Sequence, residues 1–369
     1  MKNNISPKII AFYLPQYHPF PENDSWWGKG FTEWTNVAKA KPLYKGHYQP
    51  KIPADLGFYD LRLPAIREEQ AILAREAGVH GFCYWHYWFG NGKQLMESIF
   101  DDVLEKKYPE FPFCLAWANH SWYAKLWNKD DTSNDRLLIE QTYPENDPFM
   151  HYTKLRKAFH DKRYITIDGA PLFLIYDPES CPQNYLDTLQ ILAKEDGFKD
   201  GLFLVGNITK RRVTKTQILK KGYSAVTYQR LTNDTTQNNL RRGINKIKKF
   251  VQVKLLNRPH IADYREARSY LINPLIDSAP DVFPTILPNW DHTPRSGVKG
   301  TVFEHAIPSE FKKLVLKALS VITNKPSEKQ IIFLKSWNEW GEGNYMEPDL
   351  KYGKGYIKAL REALDEYEK

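Results

Sequence analysis

Cysteine is scarce: the 369 residues hold three, at positions 83, 114 and 181. Three thiols cannot build a disulfide framework, and none has metal-ligand spacing. Cys83 and Cys114 lie in apolar runs and are expected to be buried free thiols. The ten histidines include no H-x-H or H-E-x-x-H spacing, which argues against metal catalysis, so no metal site is expected. The acidic run at 130–135 lacks the glycine and the distal glutamate of a calcium loop and reads as a solvated loop. No apolar run reaches membrane-spanning length, and the first residues lead into a strand-like segment without a signal-peptide apolar core. A cytoplasmic location is therefore expected. A phosphate-cradling glycine loop and a D-x-D motif are both missing, so no nucleotide cofactor is expected. Without repeats, low-complexity tracts or linkers rich in Pro, Gly or Ser, residues 1–369 read as one domain.

Aromatic residues, by contrast, are abundant. They make up 14% of the chain, with 11 Trp and 22 Tyr, and such amphipathic rings suit concave sites for amphipathic ligands. The formal charge of +8 is local. Between Leu240 and Arg258 lie Arg241, Arg242, Lys246, Lys248, Lys249, Lys254 and Arg258, with no acid among them, and the rest is close to neutral. Leu240, Ile244, Ile247, Val251 and Leu255 give this segment, at about 238–260, a helical apolar stripe. One reading is an ordinary helix with a face in the barrel wall. The other is docking on an anionic membrane surface or a lipid-linked, phosphate-bearing glycan. Only Phe250 interleaves with the basic residues, so nucleic acid is not an expected partner.

Short apolar, β-prone runs recur along the chain at 8–15, 81–88, 113–119, 171–176, 202–205, 225–228, 282–287 and 331–334. Helical patterns lie between and after them at 61–77, 94–106, 147–161, 184–195, 214–221, 264–271, 308–322 and 356–367. In the first helix Leu63, Ile66, Ile72 and Leu73 are the expected core positions. Eight strands alternating with helices predict an α/β fold, a single (β/α)8 barrel with long loops at the C-terminal face of the strands.

In that architecture the strand ends share one cavity. They supply Tyr13, Gln16, Tyr17 and His18, then Tyr84, His86, Tyr87 and Trp88, then Trp117 and Asn119. Tyr176, Asn207, Tyr228, Asn289, Trp290 and Asp291 follow, and last Asn338, Glu339, Trp340 and Glu342. Part of the second strand's aromatic set must pack as core, and His86 is open to a buried-histidine role. The eighth strand end is the most informative. An apolar run, 331–334, turns into WNEWGEG at 337–343. Two carboxylates three residues apart can do acid and base work at a glycosidic bond, and indole faces suit sugar rings. Gly341 between them reads as the residue that lets the chain turn.

These motifs carry a family resemblance. AFYLPQYH at 11–18, WWGKGFTEWTNV at 26–37, HYQP at 47–50, GFCYWHYW at 81–88, WDHTPR at 290–295 and WNEWGE at 337–342 resemble the WbsX-type family. That family is related to glycoside hydrolase family 99, the endo-α-mannosidases. The resemblance implies a (β/α)8 barrel acting on α-linked oligosaccharides or polysaccharides with retention, on a mannose-type or bacterial surface glycan. It implies that Glu339 deprotonates the sugar 2-hydroxyl, which attacks the anomeric carbon to give a 1,2-anhydro sugar. Glu342 would be the general acid on the leaving oxygen and later the base on water. The remaining substrate-binding expectations are Trp26, Trp27, Glu33, Trp34 and Trp122. WbsX-type proteins are also named as glycosyltransferases of O-antigen or capsule assembly, which is the alternative function, at the inner membrane face. One departure stands out: Ala118-Asn119-His120-Ser121-Trp122 carries His120 where many WbsX-type chains have a glutamate.

Overall fold

The computed structural model describes residues 6–124, 136–210, 212–231, 243 and 247–369. The acidic run at 130–135 and Leu240, Arg241, Arg242, Ile244 and Lys246 of the basic segment lie outside the described residues.

Eight parallel strands form the barrel: β1 (Lys8–Tyr13), β2 (Gly81–Trp88), β3 (Phe113–Trp117), β4 (Ala170–Ile175), β5 (Phe203–Ile208), β6 (Ala225–Tyr228), β7 (Val282–Phe283 with Thr285–Ile286) and β8 (Ile331–Leu334). Their residues are buried almost without exception. Strands covered on both faces must be apolar along their whole length, which is why they read as continuous runs in the sequence. Ile10 of β1 stands opposite both Phe333 of β8 and Gly81 of β2. The circle closes through β7, whose two halves serve different neighbours. Val282 and Phe283 pair with Val226 and Thr227 of β6, whereas Thr285 and Ile286 pair with Phe333 and Leu334 of β8. Pro284 divides the halves because it has no N–H to give to a ladder, yet its carbonyl accepts from Phe333 N at 2.9 Å. The expected strand at 282–287 is therefore two short pieces.

Each strand is followed by a helix of the outer layer: α1 (Pro64–Ala77), α2 (Glu97–Lys106), α3 (Asp147–Phe159), α4 (Gln183–Glu195), α5 (Lys215–Lys220), α6 (Tyr264–Leu271), α7 (Pro308–Ile322) and α8 (Gly355–Glu368). The first helix begins three residues later than its apolar pattern predicts, with Pro64 in its first turn and Leu63 as an extended N-cap. Leu63 and Ile72 are consequently exposed rather than core, and the buried stripe is Arg67, Gln70, Ala71, Leu73, Ala74 and Ala77. Residues Gln94–Leu95 form a short strand antiparallel to the end of β2 instead of the first turn of α2.

Within the barrel, Phe12 stacks on Trp85 at 4.9 Å and on Phe333 at 5.3 Å between ring centroids. Side chains one residue out of phase point instead to the helices, because strand neighbours alternate sides. This aromatic plug is the floor on which the strand-end residues stand.

Candidate active site

Beyond β8 the chain makes a small hairpin. Asn338–Glu339 pairs antiparallel with Asn344–Tyr345, around a single helical turn at Trp340–Glu342. Asn338 anchors it to the β1 end: its side chain accepts from Leu14 N at 2.8 Å and donates to Leu14 O at 3.0 Å. Tyr17 adds a second anchor, its hydroxyl donating to Asn338 O at 2.6 Å and accepting from Trp340 N at 3.1 Å. The Trp340 indole lies face to face with Tyr345 at 3.6 Å and donates to Glu347 Oε2 at 2.6 Å. Glu347, also bound by Tyr59 and Gln70, is buried with its carboxyl raised to about 7 by that burial, against the pull of these donors. Asn338 and Trp340 are thus spent on holding the hairpin. Glu339 and Glu342 are left facing a cleft.

Both glutamates meet the same guanidinium. Arg295, on the short helix Thr293–Ser296 after β7, donates from Nη2 to Glu339 Oε1 at 2.7 Å and from Nη1 to Glu342 Oε1 at 2.9 Å. Its Nε donates to Glu33 Oε2 at 3.1 Å. The helix that carries Arg295 is aimed by Asp291, which accepts from Thr293 N and Oγ1 at 3.0 and 2.6 Å. On its other oxygen Asp291 meets His47 Nε2 at 2.9 Å and Gln49 Nε2 at 2.7 Å. Burial would raise the Asp291 carboxyl, but the His47 bond and the charges of Lys51 and His47 outweigh it and hold it at about 2.

The three glutamates around Arg295 differ in charge. Burial lifts Glu339 to about 8, opposed by Arg295 and reinforced by the neighbouring Glu342 and Glu33. Glu33, fully buried, is raised for the same first reason. Glu342 is also buried, but Lys335 (Nζ to Oε2, 3.6 Å), Arg295 and His292 (Nε2 to Oε1, 3.8 Å) outweigh the burial and hold it at about 2. One guanidinium and one ammonium cannot neutralise three carboxylates in a site from which water is largely excluded. Burial thus favours the protonated form at Glu339 and Glu33, while Lys335 and Arg295 favour the ionised form at Glu342.

The cleft above this cluster has a volume of ≈ 220 Å³ and is lined by Leu14, Trp85, Tyr87, Ala118, His120, Trp122, Tyr176, His292, Arg295, Lys335, Glu339 and Glu342. Five of the residues expected at the site line it: Tyr87, Trp122, Tyr176, Glu339 and Glu342. His120 stands beside the Tyr176 ring at 4.9 Å, and burial lowers its imidazole to about 4, so it is neutral at physiological pH.

Other expected contacts are turned elsewhere. On β1 and β2 the side chains of Tyr13, Tyr84, His86 and Trp88 point to the helix layer. Tyr13 donates to Gln70 of α1 at 2.6 Å, and Tyr84 packs on Phe100 of α2 at 5.2 Å. His86 meets His151 of α3 at 2.9 Å, and Trp88 donates to Asp147 of α3 at 2.8 Å. The alternate residues Trp85 and Tyr87 take the cleft positions. Glu33 is wholly covered beneath Arg295, and Gln16 and His18 are buried under the loop after β1. Trp34 packs on Trp340 and donates to Tyr59 O. Asn119 clamps the Asp177 backbone, Trp290 lies against His292, and Tyr228 lies under Arg230. Trp26 is at 6.2 Å from the Trp122 ring, and Trp27 stands beside Phe31. Of the side chains the sequence reading left out, Arg295, Lys335 and His292 matter most. Arg295 and His292 belong to the WDHTPR motif, which was the available signal; Lys335 has none.

Residues 9–360 match the family model described as Glycosyltransferase WbsX. The chain is 34% identical over 363 residues to an uncharacterized protein, WxcX, of Xanthomonas campestris pv. campestris, a match covering 96% of this chain and 49% of the relative. The chain thus spans about half the length of the curated relatives it matches. In structure it is similar to the GH99 endo-alpha-mannosidase from Bacteroides thetaiotaomicron, with a TM-score of 0.57 and 15% identity over 100% of this chain and 98% of that one. A glycoside hydrolase-like protein aligns with a TM-score of 0.58 and 16% identity over 99% and 95% of the two chains. At such identities the likeness establishes a shared (β/α)8 barrel. With nearly its whole described barrel inside the family match, the chain belongs to the WbsX glycosyltransferase family.

Proposed function

We propose that this chain is a retaining glycoside hydrolase or transglycosidase acting on α-linked glycans, with Glu339 and Glu342 as its catalytic pair. The observation that carries the reading is the pair itself. Two carboxylates hang from the two terminal nitrogens of one buried guanidinium, Glu339 raised by burial and Glu342 lowered by Lys335 and Arg295, in a cleft that Trp85, Trp122 and Tyr176 also line. Acid–base cleavage of a glycosidic bond needs one carboxyl that holds a proton and one that accepts one.

In the route implied by family resemblance, Glu339 takes the 2-hydroxyl proton, O2 bonds to C1, and the C1–leaving-oxygen bond breaks as Glu342 protonates that oxygen. Water, or a sugar hydroxyl in a transglycosidase, then opens the 1,2-anhydro ring at C1. Its proton goes to Glu342, and Glu339 returns one to O2. Burial favours the proton on Glu339 in the substrate-free site, so this route requires it to pass to Glu342 as the sugar seats. The low value at Glu342 depends most on Lys335, in the cleft wall, and then on Arg295. A sugar that draws the Lys335 ammonium away would raise Glu342 and favour that transfer.

The family description supports a second reading, a glycosyltransferase of surface-polysaccharide assembly. One NMR time course separates the two. Wild type, Glu339→Gln and Glu342→Gln are incubated with free and lipid-linked bacterial oligosaccharides. Release of a reducing sugar with the α-anomer first, abolished in both variants, supports the hydrolase. Elongation upon addition of a nucleotide sugar, with no cleavage, replaces it with the transferase.

A further inference from the structure

The described part of the basic segment, from residue 247 on, does not bury its share of the apolar stripe in the barrel wall: Ile247 and Leu255 are exposed and Val251 is half-buried. Residues 247–250 are helical and Val251–Leu255 continues as a wider helical turn. Along this stretch Ile247 is 65% exposed, Phe250 58%, Leu255 69% and Leu256 56%. Lys248, Lys249, Lys254 and Arg258 stand among them, and the sequence from 243 to 260 contains no aspartate or glutamate. Where α1, α3 and α4 expose one or two large apolar residues each, this short stretch exposes four, whereas α7 buries Phe311, Leu314, Val315 and Leu319.

We propose that residues 247–258 dock the protein on an anionic lipid bilayer, with Ile247, Phe250, Leu255 and Leu256 inserted at the headgroup boundary and the lysines on the lipid phosphates. An interfacial helix needs both components: apolar side chains to enter the boundary and cations to hold anionic headgroups. Lysine suits this position because its stem lies along apolar surface while its ammonium stays in the polar layer. A soluble polyanion satisfies only the charges and leaves four large apolar side chains in water, so charge and apolarity together favour the bilayer.

The segment is tied to the end of the barrel that bears the cleft. Arg258 N donates to Gln252 O at 2.8 Å, and His260 Nδ1 meets Gln252 Oε1 at 2.9 Å. The strand His260–Asp263 pairs in parallel with Thr301–Glu304, and Phe303 N donates to Trp290 O at 2.8 Å. The docking surface is thereby linked by backbone hydrogen bonds to the loop that carries Arg295. Docked in this way, the protein would meet its glycan at the membrane surface. That consequence rests on the glycoside-processing reading above, whereas the docking itself does not.

The test is co-sedimentation of the full chain with phosphatidylcholine vesicles that contain or lack phosphatidylglycerol. Wild type is expected to pellet with the anionic vesicles and to remain in solution with the neutral ones. The triple variant Phe250→Ser, Leu255→Ser, Leu256→Ser should lose binding by about tenfold or more, with its melting temperature unchanged. Wild type that ignores the anionic vesicles overturns the proposal. So does a triple variant that binds them as tightly as wild type. Equal retention of both proteins on heparin, with no vesicle binding by either, assigns the surface to a soluble polyanion and overturns it too. Vesicle binding that follows the expected pattern in a protein that cleaves no glycan leaves the docking standing and removes the proposed function.

Discussion

Glu33 occupies the space that a side chain at Gly341 would need. A Cβ at residue 341 would stand 2.0 Å from Glu33 Oε2 and 3.0 Å from Arg295 Nε. Left-handed backbone geometry belongs to the next glycine, Gly343, at φ +65°. Gly341 is there for close approach, and Gly343 makes the turn. Gly341→Ala must push Glu33 and the guanidinium off the hairpin. The expected cost is about 1–3 kcal/mol of stability, as for other overpacked sites, together with a steep loss of turnover. Urea denaturation and initial rates on one preparation would check both; unchanged values would contradict the contact.

Arg295 should tolerate no replacement. Arg295→Ala leaves three buried carboxylates without their common cation, and removing one member of a buried ion cluster costs about 3–5 kcal/mol. Arg295→Lys keeps the charge but cannot reach three carboxylates from one plane. It is expected to fold and to lose turnover by about 10²-fold or more, the scale of a misplaced catalytic group. A lysine variant with wild-type rates would show that the fork geometry is dispensable.

The raised carboxyls of the site should contribute less stability as pH rises from 6.5 to 8. Glu339, held at about 8, and Glu347, held at about 7, keep protons in the folded chain that the unfolded chain has lost. At these groups the folded state then binds more protons than the unfolded state, so their contribution to unfolding free energy decreases with pH. For each fully protonated group the limit is about 1.4 kcal/mol per pH unit. Buried neutral histidines work in the opposite sense around the unfolded histidine value of about 6.5, at the acid end of this window, so the carboxyl contribution is read as a difference between variants. Denaturation midpoints measured across the window should fall less steeply, or rise more steeply, with pH in Glu339→Gln than in wild type. An identical slope would mean that Glu339 is ionised in the free protein.

The roles of the proposed catalytic pair are separable by leaving group. If Glu342 is the acid, Glu342→Gln should retain much of its rate on an aryl glycoside or glycosyl fluoride, whose leaving group needs no proton, while losing about 10²–10⁴-fold on a natural linkage. Glu339→Gln should then be slow on both. The reverse pattern would show that the proton placement of the free site persists through the reaction and that the two glutamates exchange roles.

His120 sits in the cleft wall as a neutral imidazole beside Tyr176. His120→Glu places a carboxylate in the wall of the cleft that Glu342 also lines. It should change KM more than kcat on a panel of oligosaccharides, and a uniform loss of kcat alone would argue against a contact with the sugar.

Much of this was legible before any coordinates. Eight strands buried on both faces must be apolar throughout, and helices packed on them on one side must be amphipathic, so the barrel is written in local patterns. Glu339 and Glu342 were legible for the same reason: they sit in one short motif directly after a buried strand, and a single hairpin presents both. Tertiary structure decided the rest. Whether Tyr84, His86 and Trp88 or their neighbours Trp85 and Tyr87 face the cleft is a question of phase, and an all-aromatic strand hides its phase. Arg295 collects carboxylates 262, 44 and 47 residues away in sequence, a convergence no local pattern records. The charge on each glutamate was settled last, because it depends on how deeply each is buried and on which cations the fold brings within about 4 Å of it.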